Sequence, residues 1–173
     1  VGKALVVIIT AGLVAWWLGY SGKTCPVTIE RKEVRGSSLQ GVIENKSTVW
    51  IEKGYYACRE VSRNDIVAYR YGGDPAPLIK IARGIPGDTF ALEPRDNNTW
   101  HLIINNELVI DAAGALYLLD AFQANILSLY VRDYGGIIPP ESYLLLGSAS
   151  SASLDSRQFG LAGKSDLIGR VRQ

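Results

Sequence analysis

The chain has 173 residues, enough for one compact domain with its own core and too few for two. Its 18 basic and 17 acidic side chains nearly cancel, and no basic stripe or arginine-rich block tracks a phosphate backbone, which argues against a nucleic-acid partner. The single histidine, His101, excludes metal centres built on two or three imidazoles and leaves a Ser-His-Asp apparatus only that residue as base.

From Ala4 to Tyr20 the chain runs 17 residues without a charge. At about 1.5 Å per residue this reaches ~26 Å, near the short limit for crossing a bilayer. Trp16, Trp17 and Tyr20 gather at its downstream end, where amphipathic rings favour the membrane-water interface. The pattern predicts an N-terminal transmembrane helix in a membrane anchor over residues 1–24, followed by one domain over 25–173. A cleaved secretory signal is the competing reading, because Gly19 and Ser21 supply small residues at a cleavage site. Lys3 on one side is opposed by Lys23, Arg31 and Lys32 on the other, so charge alone does not orient the span. Cys25 and Cys58 are the only cysteines. Outside the cytoplasm they can pair, closing a loop that contains Ser38 and contributing roughly 3 to 4 kcal/mol; two free thiols are the alternative.

Downstream, alternating segments at Val27–Val34, Thr48–Glu52, Asp65–Arg70, Leu78–Arg83, Thr89–Leu92, Thr99–Ile104, Leu108–Ile110, Tyr143–Gly147 and Leu167–Val171 predict short strands. Turns are marked by GGDP, IPGD and EPRDNN. The exception is Ala115–Tyr130, whose apolar residues recur at spacings of three and four and which lacks proline and internal glycine; it predicts one amphipathic helix. That helix packs on the sheet or faces the membrane. The expected fold is mainly β, packed antiparallel sheets with one inserted helix, behind the transmembrane helix.

Three constellations carry chemistry. Gly36, Ser37 and Ser38 follow the first predicted strand, and a serine in such a turn presents its hydroxyl and its own N–H to one substrate carbonyl. By itself this is also the composition of an ordinary turn. Lys80 lies on a predicted strand with Leu78 and Ala82 on the same side, so apolar neighbours desolvate its amine and favour the neutral form a general base needs. The alternative is a lysine snorkelling from an exposed strand face. In GSASSASLDSRQFG, Asp155 and Arg157 can form a charge-assisted pair that fixes a loop, and Ser153 offers a hydroxyl to a neighbouring amine; otherwise this is a serine-rich surface loop.

Taken in order, GSSL, DIVAYR, IKIARGIPGD, ELVI, IPPESYLLLGS and SLDSRQFG resemble the successive boxes of signal peptidase I, the Ser/Lys endopeptidases of family S26 that remove signal peptides. The resemblance covers nearly all the chain after the apolar segment. It implies that Ser38 is the nucleophile, that Lys80 deprotonates it, and that Ser153, Asp155 and Arg157 support the lysine and its loop. Gly36 and Ser37 then belong to the nucleophile turn and oxyanion region. It implies no cofactor and no metal. The implied partners are an extended signal-peptide or leader segment, bound as an added strand, and membrane lipid, with the catalytic domain on the extracytoplasmic side.

The chain departs from the family pattern in several places. Leu39 replaces methionine at similar volume, Gly41 and Val42 replace proline and threonine, and Ile81 replaces an arginine after the base. Ser148 and Ala149 replace aspartate and asparagine, which removes groups that commonly order the site. These changes point to a divergent branch, similar to the pilin-maturing peptidases of conjugative systems, or to a catalytically silent binder of signal-like segments. A protease using His101 is a further rival, although a lone strand histidine is more often structural.

Overall fold

The computed structural model describes residues 25–72, 76–150 and 153–173. The predicted span at Ala4–Tyr20 and the anchor over residues 1–24 lie outside them. Among the described residues no helix is long and apolar enough to cross a membrane.

The strands are β1 (Thr28–Glu33), β2 (Thr48–Lys53), β3 (Ile66–Tyr69), β4 (Leu78–Gly84), β5 (Phe90–Arg95), β6 (Thr99–Ile104), β7 (Glu107–Leu108), β8 (Leu118–Leu119), β9 (Ser142–Leu146), β10 (Ala162–Gly163) and β11 (Leu167–Arg172). They form a seven-stranded sheet in the order β1-β2-β11-β3-β4-β9-β10 and a second sheet in which β6 pairs with β5, β7 and β8. Every pairing is antiparallel. The chain leaves the large sheet after β4, builds the second sheet and the main helix, and returns as β9.

Side-chain alternation sorts the core. On β2, Val49 and Ile51 point inward while Trp50 is exposed, and the inward pair packs with Val34, Leu39 and Ile43. β9 is apolar on both faces: Leu144 and Leu146 join the cluster of the second sheet, whereas Tyr143 and Leu145 pack with Val67 and Ala82 on the other side. A strand buried on both faces reads as a continuous apolar run rather than an alternating one, which fits YLLL. β11 crosses β2 so closely that a Cβ on Gly169 would stand 2.1 Å from the Glu52 carbonyl oxygen, so only glycine fits there.

The main helix, α1, spans Ala121–Tyr134 rather than Ala115–Tyr130. Leu118 and Leu119 pair with β6 instead, and Tyr117 and Leu119 are buried as part of that extended segment. A capping box sets the start: Asp120 accepts the Gln123 N–H while the Gln123 side chain accepts the Asp120 N–H. Gly135 closes the helix in the left-handed conformation, φ 62°, where glycine is favoured. A single short turn, α2 (Ser156–Phe159), follows β9.

Two connections hold these parts in place. Cys25 and Cys58 are disulfide-bonded with Cα atoms 6.0 Å apart, so of the two readings the paired one holds. The bond ties the approach to β1 to the turn that follows β2. At the end of β4, the Asp88 carboxylate accepts from the Ile85 N–H at 2.8 Å and from Asn105 at 2.9 Å, and it also pairs with Arg63. This polar knot joins the IPGD turn to the loop after β6.

Candidate active site

After β1 the chain enters a turn whose carbonyls and N–H groups are consumed locally. Gly36 has φ +102°, and its N–H donates to Asn45 Oδ1 at 3.1 Å. The Ser37 carbonyl accepts from Gln40 N–H at 3.0 Å, and the Leu39 carbonyl from Ile43 N–H at 2.7 Å. Leu39, 2% exposed, pins the turn into the core. Ser38, beside it, is half-buried, and its N–H makes no hydrogen bond among the described residues.

Lys80 reaches this serine from β4. Its Nζ stands 2.9 Å from Ser38 Oγ and 3.0 Å from the Ile79 carbonyl oxygen. Leu78 and Ala82, its neighbours on the same strand face, pack with Val67, its cross-strand partner on β3. Only 2% of Lys80 is exposed. Burial therefore lowers its pKa to about 8; the Asp155 carboxylate works against the shift and the Arg157 guanidinium adds to it.

The loop after β9 closes the site from behind. Gly147 donates its N–H to Asp155 Oδ2 at 3.0 Å, and Ser148 donates its N–H to the Ser38 carbonyl at 2.7 Å. Asp155 also caps α2 by accepting the Arg157 N–H at 3.1 Å, and Arg157 returns Nε and Nη2 to the same carboxylate at 2.9 and 2.8 Å. The third guanidinium nitrogen bonds to the Ser150 carbonyl, and the group lies over the Tyr117 ring. There is no room for a side chain at Gly147, where a Cβ would stand 2.4 Å from Ser153 Oγ and 2.6 Å from the Ser38 carbonyl oxygen.

A cleft of about 480 Å³ opens in front of Ser38 and Lys80. Residues 31–35 form one wall and residues 76–80 the other. Among the described residues β1 pairs only with β2, and β9 pairs with β4 only from Ile81 onward. Among the described residues, β1 and the Leu78–Lys80 stretch of β4 therefore each have one edge that no strand pairs.

Of the residues singled out from sequence, Ser38, Lys80, Asp155 and Arg157 converge here. Ser153 is buried beside Gly147, but its hydroxyl has no hydrogen-bond partner among the described residues and does not bond to Lys80. Gly36 donates its N–H to Asn45 within the turn. Ser37 is exposed, and its carbonyl serves the turn. His101 lies in the second sheet, with Arg95 at 3.0 Å and Glu93 at 3.6 Å as partners, and none of the three lines the cleft. Sequence reasoning passed over Asn45 and Asp111. Asp111 accepts the N–H groups of Ala113, Ala115 and Ser150 and steadies the loop from outside. An aspartate two residues before a small-residue turn was the available signal.

The family model described as signal peptidase, peptidase S26, matches residues 3–173. A Staphylococcus aureus (strain COL) protein named inactive signal peptidase IA is 25% identical over 142 residues, covering 80% of this chain and 74% of that protein. Its counterpart from strain N315, with the same name, is 24% identical over the same shares. A solved signal peptidase I from Enterococcus faecalis V583 aligns with 65% of this chain and 97% of its own, at 24% identity and a TM-score of 0.43. With the family match spanning nearly its whole length, the chain belongs to the signal peptidases of family S26.

Proposed function

We propose that the chain is a membrane-bound serine endopeptidase that removes signal or leader segments from exported precursors, with Ser38 as nucleophile and Lys80 as general base. The observation that carries this reading is the 2.9 Å contact between the Ser38 hydroxyl and a buried lysine amine at the floor of an open cleft. Neutral Lys80 takes the hydroxyl proton as Ser38 Oγ bonds to the scissile carbonyl carbon. The resulting ammonium gives that proton to the leaving amine as the C–N bond breaks. A water deprotonated by the same amine then attacks the ester and regenerates Ser38. The unused Ser38 N–H is the oxyanion donor.

The cleft walls favour an extended substrate. The edges of β1 and of Leu78–Lys80, which no strand among the described residues pairs, supply N–H and C=O groups to a peptide lying between them, which adds a strand by main-chain bonds. Residues 1–24 anchor this domain to the membrane, and residues 25–173 work on the extracytoplasmic side. The Cys25–Cys58 disulfide fits an oxidising compartment.

Two other readings remain in view. The Staphylococcus aureus relatives are named inactive, which favours a silent binder of signal-like segments. The departures at Gly41, Ile81 and Ser148 favour a specialised peptidase of the conjugative pilin type over a housekeeping one. Incubating the detergent-solubilised chain with a panel of secretory and pilin precursors, beside S38A, separates all three. Cleavage lost in S38A supports the endopeptidase, and the preferred precursor names its branch. Saturable binding of precursors without cleavage by the wild type establishes the silent binder.

A further inference from the structure

Ser148 stands where the family resemblance expects an aspartate, and the loss of that carboxylate reads from sequence as a weakened site. The geometry points the other way. Ser148 is 1% exposed, and its Oγ donates to the Gln40 carbonyl at 2.7 Å and lies 3.4 Å from the Ser38 carbonyl. Its N–H donates to the Ser38 carbonyl at 2.7 Å. Its own carbonyl accepts from the Ala112 N–H at 2.9 Å, in the turn organised by Asp111. Gly147, one residue earlier, is held by Asp155 at 3.0 Å. Ser148 is therefore fixed from both sides and itself grips the two carbonyls that flank Leu39.

We propose that Ser148 is a positioning residue: its hydroxyl clamps the Ser38–Gln40 segment and so keeps Ser38 Oγ within hydrogen-bonding distance of Lys80 Nζ. This rests on the assignment of Ser38 and Lys80 above. A hydroxyl suits the place because both groups it meets are carbonyl oxygens, which need a donor. An ionised carboxylate only accepts, and here it would face two acceptors. The serine is thus a different solution to ordering the nucleophile turn. Misplacing a nucleophile by about 1 Å costs on the order of a hundredfold in turnover, so a missing clamp is measurable.

The test is steady-state cleavage of a precursor by the full chain carrying S148A, S148T, S148V or S148D, with S38A as control and thermal unfolding of each variant. S148A is expected to lower kcat by roughly 10- to 100-fold with KM nearly unchanged, because the clamp acts on the nucleophile rather than on the cleft walls. S148T and S148V match in volume and differ in the hydroxyl, so S148T keeps at least about tenfold more turnover than S148V. S148D falls at least as low as S148A. The pH midpoint of kcat/KM stays where the wild type has it, since Lys80 is untouched. Equal turnover in S148T and S148V, a kcat for S148A within about twofold of wild type, or a gain in S148D overturns the proposal. If S38A itself cleaves at the wild-type rate, the Ser38 assignment fails instead, and the two failures are told apart.

Discussion

Two buried cationic sites in this protein have opposite surroundings. Lys80 on β4 is 2% exposed and, among the described residues, pairs with no carboxylate; its amine meets one hydroxyl and one carbonyl. Arg157 on α2 is equally buried, yet Asp155 saturates two of its nitrogens, the Ser150 carbonyl takes the third, and the Tyr117 ring covers its face. An unpaired buried cation gives up its proton easily, whereas a fully bonded one holds its geometry. The first environment suits proton transfer and the second suits a scaffold. Gly147 links the second to the nucleophile turn: its N–H binds Asp155 and its missing side chain admits the Ser38 carbonyl.

The comparison breaks most visibly in activity. Ser38→Ala and Lys80→Arg each remove the proposed transfer step, the second because guanidinium stays charged, and precursor cleavage is expected to fall by on the order of a thousandfold or more in either. Circular dichroism of both variants should retain the wild-type β signature. Ser37→Ala, by contrast, touches only an exposed hydroxyl and keeps substantial activity; reversed phenotypes would place the nucleophile one residue earlier.

Stability separates the two sites in sign. Asp155→Asn leaves a buried guanidinium without its counter-charge and removes an acceptor, so unfolding free energy drops by about 3 kcal/mol and activity falls with it. Full stability with complete inactivity would instead make Asp155 a participant in the chemistry. Lys80→Met removes a cation that burial disfavours, so at neutral pH the variant unfolds at a higher temperature than the wild type while cleaving nothing. Linkage sharpens this contrast. Below about pH 8 the lysine is protonated in both folded and unfolded chains; between there and its ordinary 10.5 the unfolded chain binds more protons. Wild-type stability therefore gains about 3 kcal/mol from this group as pH rises through that window, and Lys80→Met lacks the gain.

Much of this was legible in the sequence because strand alternation is a strong local signal. Leu78, Lys80 and Ala82 could be placed on one face without knowing what they met, and the Asp155–Arg157 pair is close enough in sequence to find itself. The predicted helix start lies too early because the apolar run Leu116–Leu119 leads straight into the helix; the two-residue spacing of the buried Tyr117 and Leu119, which is a strand's, and the Asp120–Gln123 capping box are the cues that decide it. The roles of Ser148 and Asn45 were illegible because each depends on contacts made across the fold, Ser148 to a turn 108 residues away, and a serine carries no sign of what its hydroxyl will meet.

The smallest effect is expected at His101. It is buried in the second sheet between Arg95 and Glu93, away from the cleft, and supplies no proton to the proposed reaction. His101→Asn should change turnover by less than about tenfold; a loss of several thousandfold would move the assignment to a serine-histidine mechanism.

The most direct test is the pH dependence of kcat/KM for precursor cleavage, measured with and without a metal chelator and repeated as single turnovers on Lys80→Ala. Only the neutral amine accepts the serine proton, and burial lowers the Lys80 pKa to about 8. Activity should therefore climb with pH through a single ionisation near that value, be indifferent to the chelator, and be lost in Lys80→Ala. A profile that titrates near the ordinary histidine range, or near-wild-type cleavage by Lys80→Ala, would contradict the Ser38–Lys80 account.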